Sequence, residues 1–152
     1  MAHLLVVWWI FLVLISRHTH ANDGSVDIVN DTSSQMLVHC KSGDNDLGNI
    51  YLQQYGDYYF SFGQNIFGTT FFYCTFKWGE FAKTIPVWKG KSYVDRLDCE
   101  VEGQCVWKAT ERGFYWAKKG PLEPFYFYGD WLKALPSFDP PAHPHPPHPP
   151  HS

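Results

Sequence analysis

Along most of this chain apolar residues recur at every second position, the signature of half-buried β-strands rather than amphipathic helices. Met36, Val38 and Cys40 alternate with Leu37, His39 and Lys41, so Gln35 to Lys41 is expected to be a strand. The strongest pattern is Thr70 to Trp78, with Phe72, Cys74, Phe76 and Trp78 on one face and Phe71, Tyr73, Thr75 and Lys77 on the other. Ser25 to Asn30, Ile50 to Gln53, Gln104 to Thr110, Phe114 to Lys118 and Phe125 to Tyr128 read as further strands. So does Asp57 to Phe62, where Tyr58, Phe60 and Phe62 share a face. Glu80 to Trp88 is expected to return as a hairpin partner, with Pro86 confining it to an edge or a bulge. Ser92 to Leu97 adds a short extended piece, and Trp131 to Leu135 has helical character enough for one turn.

Short strands broken by Gly- and Asn-rich turns every eight to twelve residues predict an all-β sandwich or barrel. The expected fold is a small, disulfide-bonded antiparallel β-sandwich with a disordered His/Pro-rich C-terminal tail. Its aromatic side chains supply the core, at roughly 25 cal/mol per Å² of apolar surface buried.

The two ends of the sequence differ from the body. Leu4 to Ile15 is an apolar run of twelve residues, too short for a membrane-spanning helix. Thr19-His20-Ala21 follows with small residues one and three places before a cut, so residues 1–21 are expected to be a secretory signal peptide. No second run is long enough to span a membrane. At the other end the sequence becomes DPPAHPHPPHPPHS, a polyproline-type segment that cannot bury a core. The expected division is therefore a leader at 1–21, a sandwich at 22–138 and a disordered tail at 139–152. Neutral imidazoles bind zinc and copper, which makes His143, His145, His148 and His151 a weak candidate metal set. His145, His148 and His151 share one face of a polyproline helix, but successive turns rise about 9 Å, which is long for a common ion. A solubilising tail is the expected reading.

Without the leader the chain has 131 residues, and 11 basic side chains face 15 acidic ones, a formal charge of −4. The basic residues are scattered rather than striped, which argues against a nucleic-acid surface. Four cysteines, Cys40, Cys74, Cys99 and Cys105, all lie in the body. An even count behind a signal peptide predicts two disulfides, whereas the lack of any C-x-x-C pair argues against zinc. Three connectivities are open, and the nested one, Cys40–Cys105 with Cys74–Cys99, is the favoured expectation. Asn30-Asp31-Thr32 is the chain's only N-x-S/T sequon, and a glycan is expected on Asn30.

The most suggestive polar stretch is His39-Cys40-Lys41-Ser42-Gly43-Asp44-Asn45-Asp46-Leu47-Gly48. It begins as a strand and ends in Gly, Asp and Asn, which favour a tight turn. As a calcium loop it fails, because an EF-hand counted from Asp44 needs Gly at its sixth place and Glu at its twelfth, where Asn49 and Tyr55 stand. His39 faces away from Cys40 by alternation. No G-x-S-x-G or H-E-x-x-H motif accompanies it and no orienting acid is evident, so no catalytic residues are assigned. Paired carboxylates for glycoside hydrolysis are not suggested by any constellation. Tyr126, Tyr128 and Trp131 are the aromatics that would serve a secreted wall-carbohydrate-binding module, the alternative function.

Taken in order, Val26-x-Ile28-x-Asn30, then Leu37-x-His39-Cys40-Lys41-Ser42, then Asp44-x-Asp46-Leu47-Gly48 form a pattern. It continues with Gly68-Thr69-Thr70-x-Phe72-x-Cys74-x-Phe76-x-Trp78, Cys105-x-Trp107, Gly113-x-Tyr115 and Trp131. This resembles the plant self-incompatibility protein S1 family, the S-protein homologues, over roughly Ser25 to Trp131. The motif loop residues His39, Ser42, Asp44, Asp46, Leu47 and Gly48 carry the likeness. The resemblance implies a small secreted β-sandwich with two disulfides and often an N-glycan. It further implies a non-enzymatic signalling ligand acting on a cell-surface receptor, as in the rejection of self pollen; a monomer without cofactors is expected. The chain departs from the pattern in its His/Pro tail and in the five residues between Cys99 and Cys105.

Overall fold

Alternation becomes architecture wherever two strands can cover each other's apolar face. A computed structural model describes residues 23–119 and 123–133. The leader at 1–21, the tail at 139–152 and its histidines lie outside the described residues. In order the elements are β1 (Asp23–Asp31), β2 (Met36–Lys41), β3 (Asp46–Leu52), β4 (Asp57–Gly63), β5 (Phe71–Trp78) and β6 (Phe81–Lys89). They are followed by α1 (Asp98–Val101), β7 (Gln104–Thr110), β8 (Gly113–Lys118), β9 (Tyr126–Gly129) and β10 (Leu132–Lys133).

Two five-stranded sheets form the sandwich, one in the order β4-β1-β7-β8-β9 and the other β10-β6-β5-β2-β3. Neighbouring strands are antiparallel except β1 and β7, which run parallel from Ser25 opposite Gln104 to Asp31 opposite Thr110. The inward residues of β2 and β5, including Met36, Val38, Cys40, Phe72, Cys74 and Phe76, are buried as their parity requires. Across the sandwich they meet Val26, Ile28, Trp107 and Phe114 of the first sheet. Trp107 Nε1–H donates to the Val87 carbonyl at 3.0 Å and so ties β7 to β6 of the other sheet.

Pro86 sits opposite Tyr73, where the β5–β6 register slips between Phe72 and Tyr73. The missing N–H is thus absorbed at a bulge. Ser92 to Leu97 is not extended. Ser92 N–H and Tyr93 N–H donate to the carbonyls of Gly68 and Gly90, which turns the chain before it can join a sheet edge. The last element is also not the expected helical turn. Leu132 and Lys133 pair with Ala82 and Phe81 as β10, while residues 134–135 lie outside the described residues. β3 starts at Asp46 rather than Ile50, so the Asp-Leu-Gly part of the motif belongs to a strand.

The nested disulfide expectation is wrong. Cys40 bonds Cys74 and Cys99 bonds Cys105. Parity put three cysteines in the core but did not say which sheet each would join. β2 and β5 are neighbours, so Cys40 stands directly opposite Cys74 with Cα atoms 4.0 Å apart. Cys105 lies in the other sheet beside Val26, and the turn of α1 folds Cys99 back to within 4.8 Å of it.

Asn30, the residue expected to carry a glycan, has its side chain enclosed by the fold. It is fully buried at the end of β1. Its Nδ2 donates to the carbonyls of Leu52 and Ser34 at 2.9 Å, with Gln53 O at 3.1 Å. A sugar bonded to that nitrogen would remove one of these buried donors.

Candidate functional site

Two regions bear on function, the motif stretch on the outer face of the second sheet and a cleft at the side of the sandwich. In the motif, the pairing of β2 with β3 slips between His39 and Lys41, so that His39 faces Asn49 while Lys41 faces Asp46. Gly48 lies inside this irregularity with φ +75°, a left-handed conformation that glycine adopts without Cβ strain. The bulge aims the Asp46 carboxylate back across β2. Oδ1 accepts from His39 Nε2 at 2.5 Å and from Gly48 N–H at 2.9 Å, and Oδ2 pairs with Lys41 Nζ at 2.9 Å. His39 above all, with Gly48 and Lys41, holds the Asp46 carboxyl well below the usual carboxylate range.

The turn before it is closed by Ser42, whose N–H donates to Asn45 O at 2.8 Å and whose Oγ accepts from Asn45 N–H at 3.1 Å. Leu47 packs against the core, and Asp44 projects from the turn tip. The structure therefore brings His39, Lys41, Asp46 and Gly48 together and leaves Asp44 apart. Both Asp46 oxygens already have partners within the motif. Among the described residues no three His, Cys, Asp or Glu side chains gather as a metal set. No hydroxyl or thiol nucleophile is hydrogen-bonded to His39; Thr75, its register partner on β5, bonds Thr84 at 2.8 Å. The stretch is a strand-bulge-turn unit locked by its own polar groups.

The cleft is the feature that sequence reasoning missed. β3 and β4 are consecutive in the chain yet form the edges of opposite sheets. The sandwich stays open between their ends, leaving a cavity of about 920 Å³. Phe60, Phe62 and Phe72 line it, with the Ser42–Asn45 turn on one side and residues 63–65 and 69–73 on the others. Phe60 and Phe62 lie 5.9 Å apart, and Phe62 stacks obliquely on Phe72 at 4.4 Å. Alternation on β4 matched core filling, but nothing in its residues reveals that the strand would be an edge.

Of the aromatics proposed for sugar stacking, two are occupied inside the protein. Trp131 Nε1–H donates to Thr110 O at 2.7 Å, and its ring packs on Phe114 at 4.4 Å. Tyr128 stands edge-on to Trp107 at 5.0 Å. Tyr126 is exposed and stacks on Trp116 at 4.9 Å.

A further group escaped the sequence reading. Glu100 in α1 is buried, and its Oε2 accepts from Leu97 N–H at 2.6 Å. Burial raises its pKa to about 7, against the opposing pull of the Leu97 and Lys89 amides and of nearby Lys89 and Arg96 charges.

With this geometry in view, the comparisons with known proteins fall into place. The family described as plant self-incompatibility protein S1 matches residues 25–131, from β1 to the approach of β10. S-protein homolog 2 of Arabidopsis thaliana is 38% identical over 97 residues, covering 59% of this chain and 56% of that protein. S-protein homolog 6 of the same plant is 30% identical over 139 residues, covering 84% and 98%. Self-incompatibility protein S1 of Papaver rhoeas is 36% identical over 80 residues, covering 51% and 55%. The matched stretch thus spans little more than half the length of two of these three relatives. A solved SPH (self-incompatibility protein homologue) structure, described as belonging to a widespread family of small, highly stable, secreted plant proteins, shares the fold. Its TM-score is 0.55 at 21% identity, covering 74% of this chain and 96% of that one. The family match spans both sheets, both disulfides and the motif stretch, and the chain belongs to the plant self-incompatibility protein S1 family.

Proposed function

We propose that this protein is a secreted, non-enzymatic recognition ligand that acts on a receptor at the surface of plant cells. The observation that carries the reading is the family match over residues 25–131, which takes in nearly every described residue. Two buried disulfides suit an oxidising, extracellular setting. The apolar run at Leu4 to Ile15 supplies the leader for export. The motif's histidine and carboxylate are bonded to each other rather than to a nucleophile, which favours binding over catalysis. The Papaver rhoeas relative bears the name of a self-incompatibility protein, and recognition of self pollen is the role proposed by analogy. The protein works as a monomer, without cofactor and without nucleic acid.

The test is binding of the purified, oxidised protein to stigma, pollen and other plant cell surfaces. Saturable binding to at least one cell type, lost on reduction and unfolding, is the expected result. Absence of binding to every surface contradicts the reading.

A further inference from the structure

We propose that the open edge of β4 is a strand-addition site, which takes an extended, uncharged segment of a partner protein with its alternate apolar side chains in the cleft. This deepens the reading above by naming the chemistry of the partner, and it rests on that reading for its biological setting.

The first observation is that β4 is the edge without defences. Sheet edges expose unpaired N–H and C=O groups, and proteins blunt them with Pro, Lys, bulges, inward charges or brevity. On β3 the edge is broken by Gly48 and the bulge that carries Asp46. Pro86 interrupts β6, and β9 and β10 are only four and two residues long. In contrast β4 pairs with β1 at all seven positions, from Asp57 opposite Val29 to Gly63 opposite Asp23, without a slip. It holds no Pro or Lys, and its one charge is Asp57 at the start. Among the described residues its other side has no neighbouring strand.

The second observation is that the cleft runs along the second half of this same edge, from Phe60 to Gly63. Residues 60–65 line it consecutively, inward and outward positions alike, so the cavity follows the main chain rather than one face. Phe60 and Phe62 face the interior yet are only half-buried. An added strand would continue the first sheet at the usual spacing of about 4.8 Å and lay side chains of period two over these rings. Seven residues at about 3.4 Å each give a run of some 24 Å.

The third observation is charge. Among the seventeen residues lining the cleft only Asp44 is an acidic or basic side chain; the rest are aromatic, aliphatic, amide, hydroxyl or glycine. A charged segment would lose hydration there without gaining a counter-charge. The alternating donors and acceptors of a strand edge are matched by another extended main chain, which sugars do not supply.

The test uses the whole oxidised protein, isotope-labelled for NMR, and a seven-residue alternating Thr/Val peptide with blocked ends. Its control is the same peptide N-methylated at two consecutive central residues, so that neither edge can pair. The expected result is saturable shifts at residues 57–65, slowed amide exchange on β4, and at least ten-fold weaker binding of the methylated peptide. Equal binding of the two peptides, or no binding by either, overturns the proposal. So does cellohexaose occupying the cleft in place of the peptide, or a concentration-dependent dimer that protects β4. On cells, Phe60→Lys is compared with wild type, its fold checked by thermal melting and by the exposed, outward variant Ser61→Lys. Wild-type binding that both variants retain undamaged sinks the strand-addition site alone; absence of wild-type binding sinks the broader reading.

Discussion

The Thr32 hydroxyl donates to the side-chain carbonyl of Asn30 across 2.7 Å, with both residues buried. The same two residues spell the sequon. Asn30 also accepts Tyr55 N–H at its own carbonyl and donates its N–H to Gly56 O, so it joins the end of β1 to the β3–β4 turn.

A folded, secreted sample is therefore expected to have the mass of the bare oxidised polypeptide, unchanged by glycan-removing enzymes. Thr32→Ala should lower unfolding stability by about 1–3 kcal/mol, because it strips buried polar partners. Denaturant melts check the second point and intact mass spectrometry the first.

The two disulfides close loops of very different length, with sequence separations of 34 and 6. On chain-entropy grounds, replacing Cys40 and Cys74 together by Ser should cost about 4 kcal/mol, and replacing Cys99 and Cys105 about 2 kcal/mol. Non-reducing peptide mapping is expected to recover Cys40 with Cys74 and Cys99 with Cys105.

Glu100 makes stability depend on pH in an unusual direction. Its folded pKa of about 7 exceeds the ordinary 4.5, so the folded state holds the proton more tightly than the unfolded one. Its contribution is complete below pH 4.5 and is lost as pH rises to about 7, a loss on the order of 3 kcal/mol. Glu100→Gln should match the wild type at pH 4.5 and be more stable at pH 8. Thermal melts of both proteins across that range measure the gap.

Asp46 works in the opposite sense. Its lowered pKa gives stability that is present above the ordinary carboxylate range and is lost as pH falls through the folded value. Gly48 is the residue that allows this geometry, and an added Cβ would meet nothing within 4 Å. The cost of Gly48→Ala is then backbone strain alone, roughly 1 kcal/mol, with Gly48→Asn milder because Asn tolerates positive φ. Chemical denaturation of the three proteins gives that order.

Much of this fold was legible because strand parity is local. Cys40, Cys74 and Phe76 reach the core as their alternation demands, and Pro86 marks its bulge. Pairing is not local, and that is where the reading failed. Nothing near Cys40 says that β5 will be its neighbour or that β7 will lie in the other sheet. The burial of Asn30 was hidden for a related reason, since its acceptors at Leu52 and Gln53 arrive from a distant turn. The cleft was invisible for the same cause, because Phe60 and Phe62 look like core until β4 is known to be an edge. The motif stretch was legible as a strand running into a polar turn, but its role as a bulge clamp required the Asp46 geometry.

The proposed recognition site lies along the β4 cleft, and the clamp of His39 on Asp46 is its scaffold. Cell-surface binding by the wild type, His39→Gln and Phe60→Lys, each confirmed folded, tests it most directly. The expected result is binding within two-fold of wild type for His39→Gln and at least ten-fold weaker for Phe60→Lys. Loss of binding in His39→Gln with full retention in Phe60→Lys would contradict it.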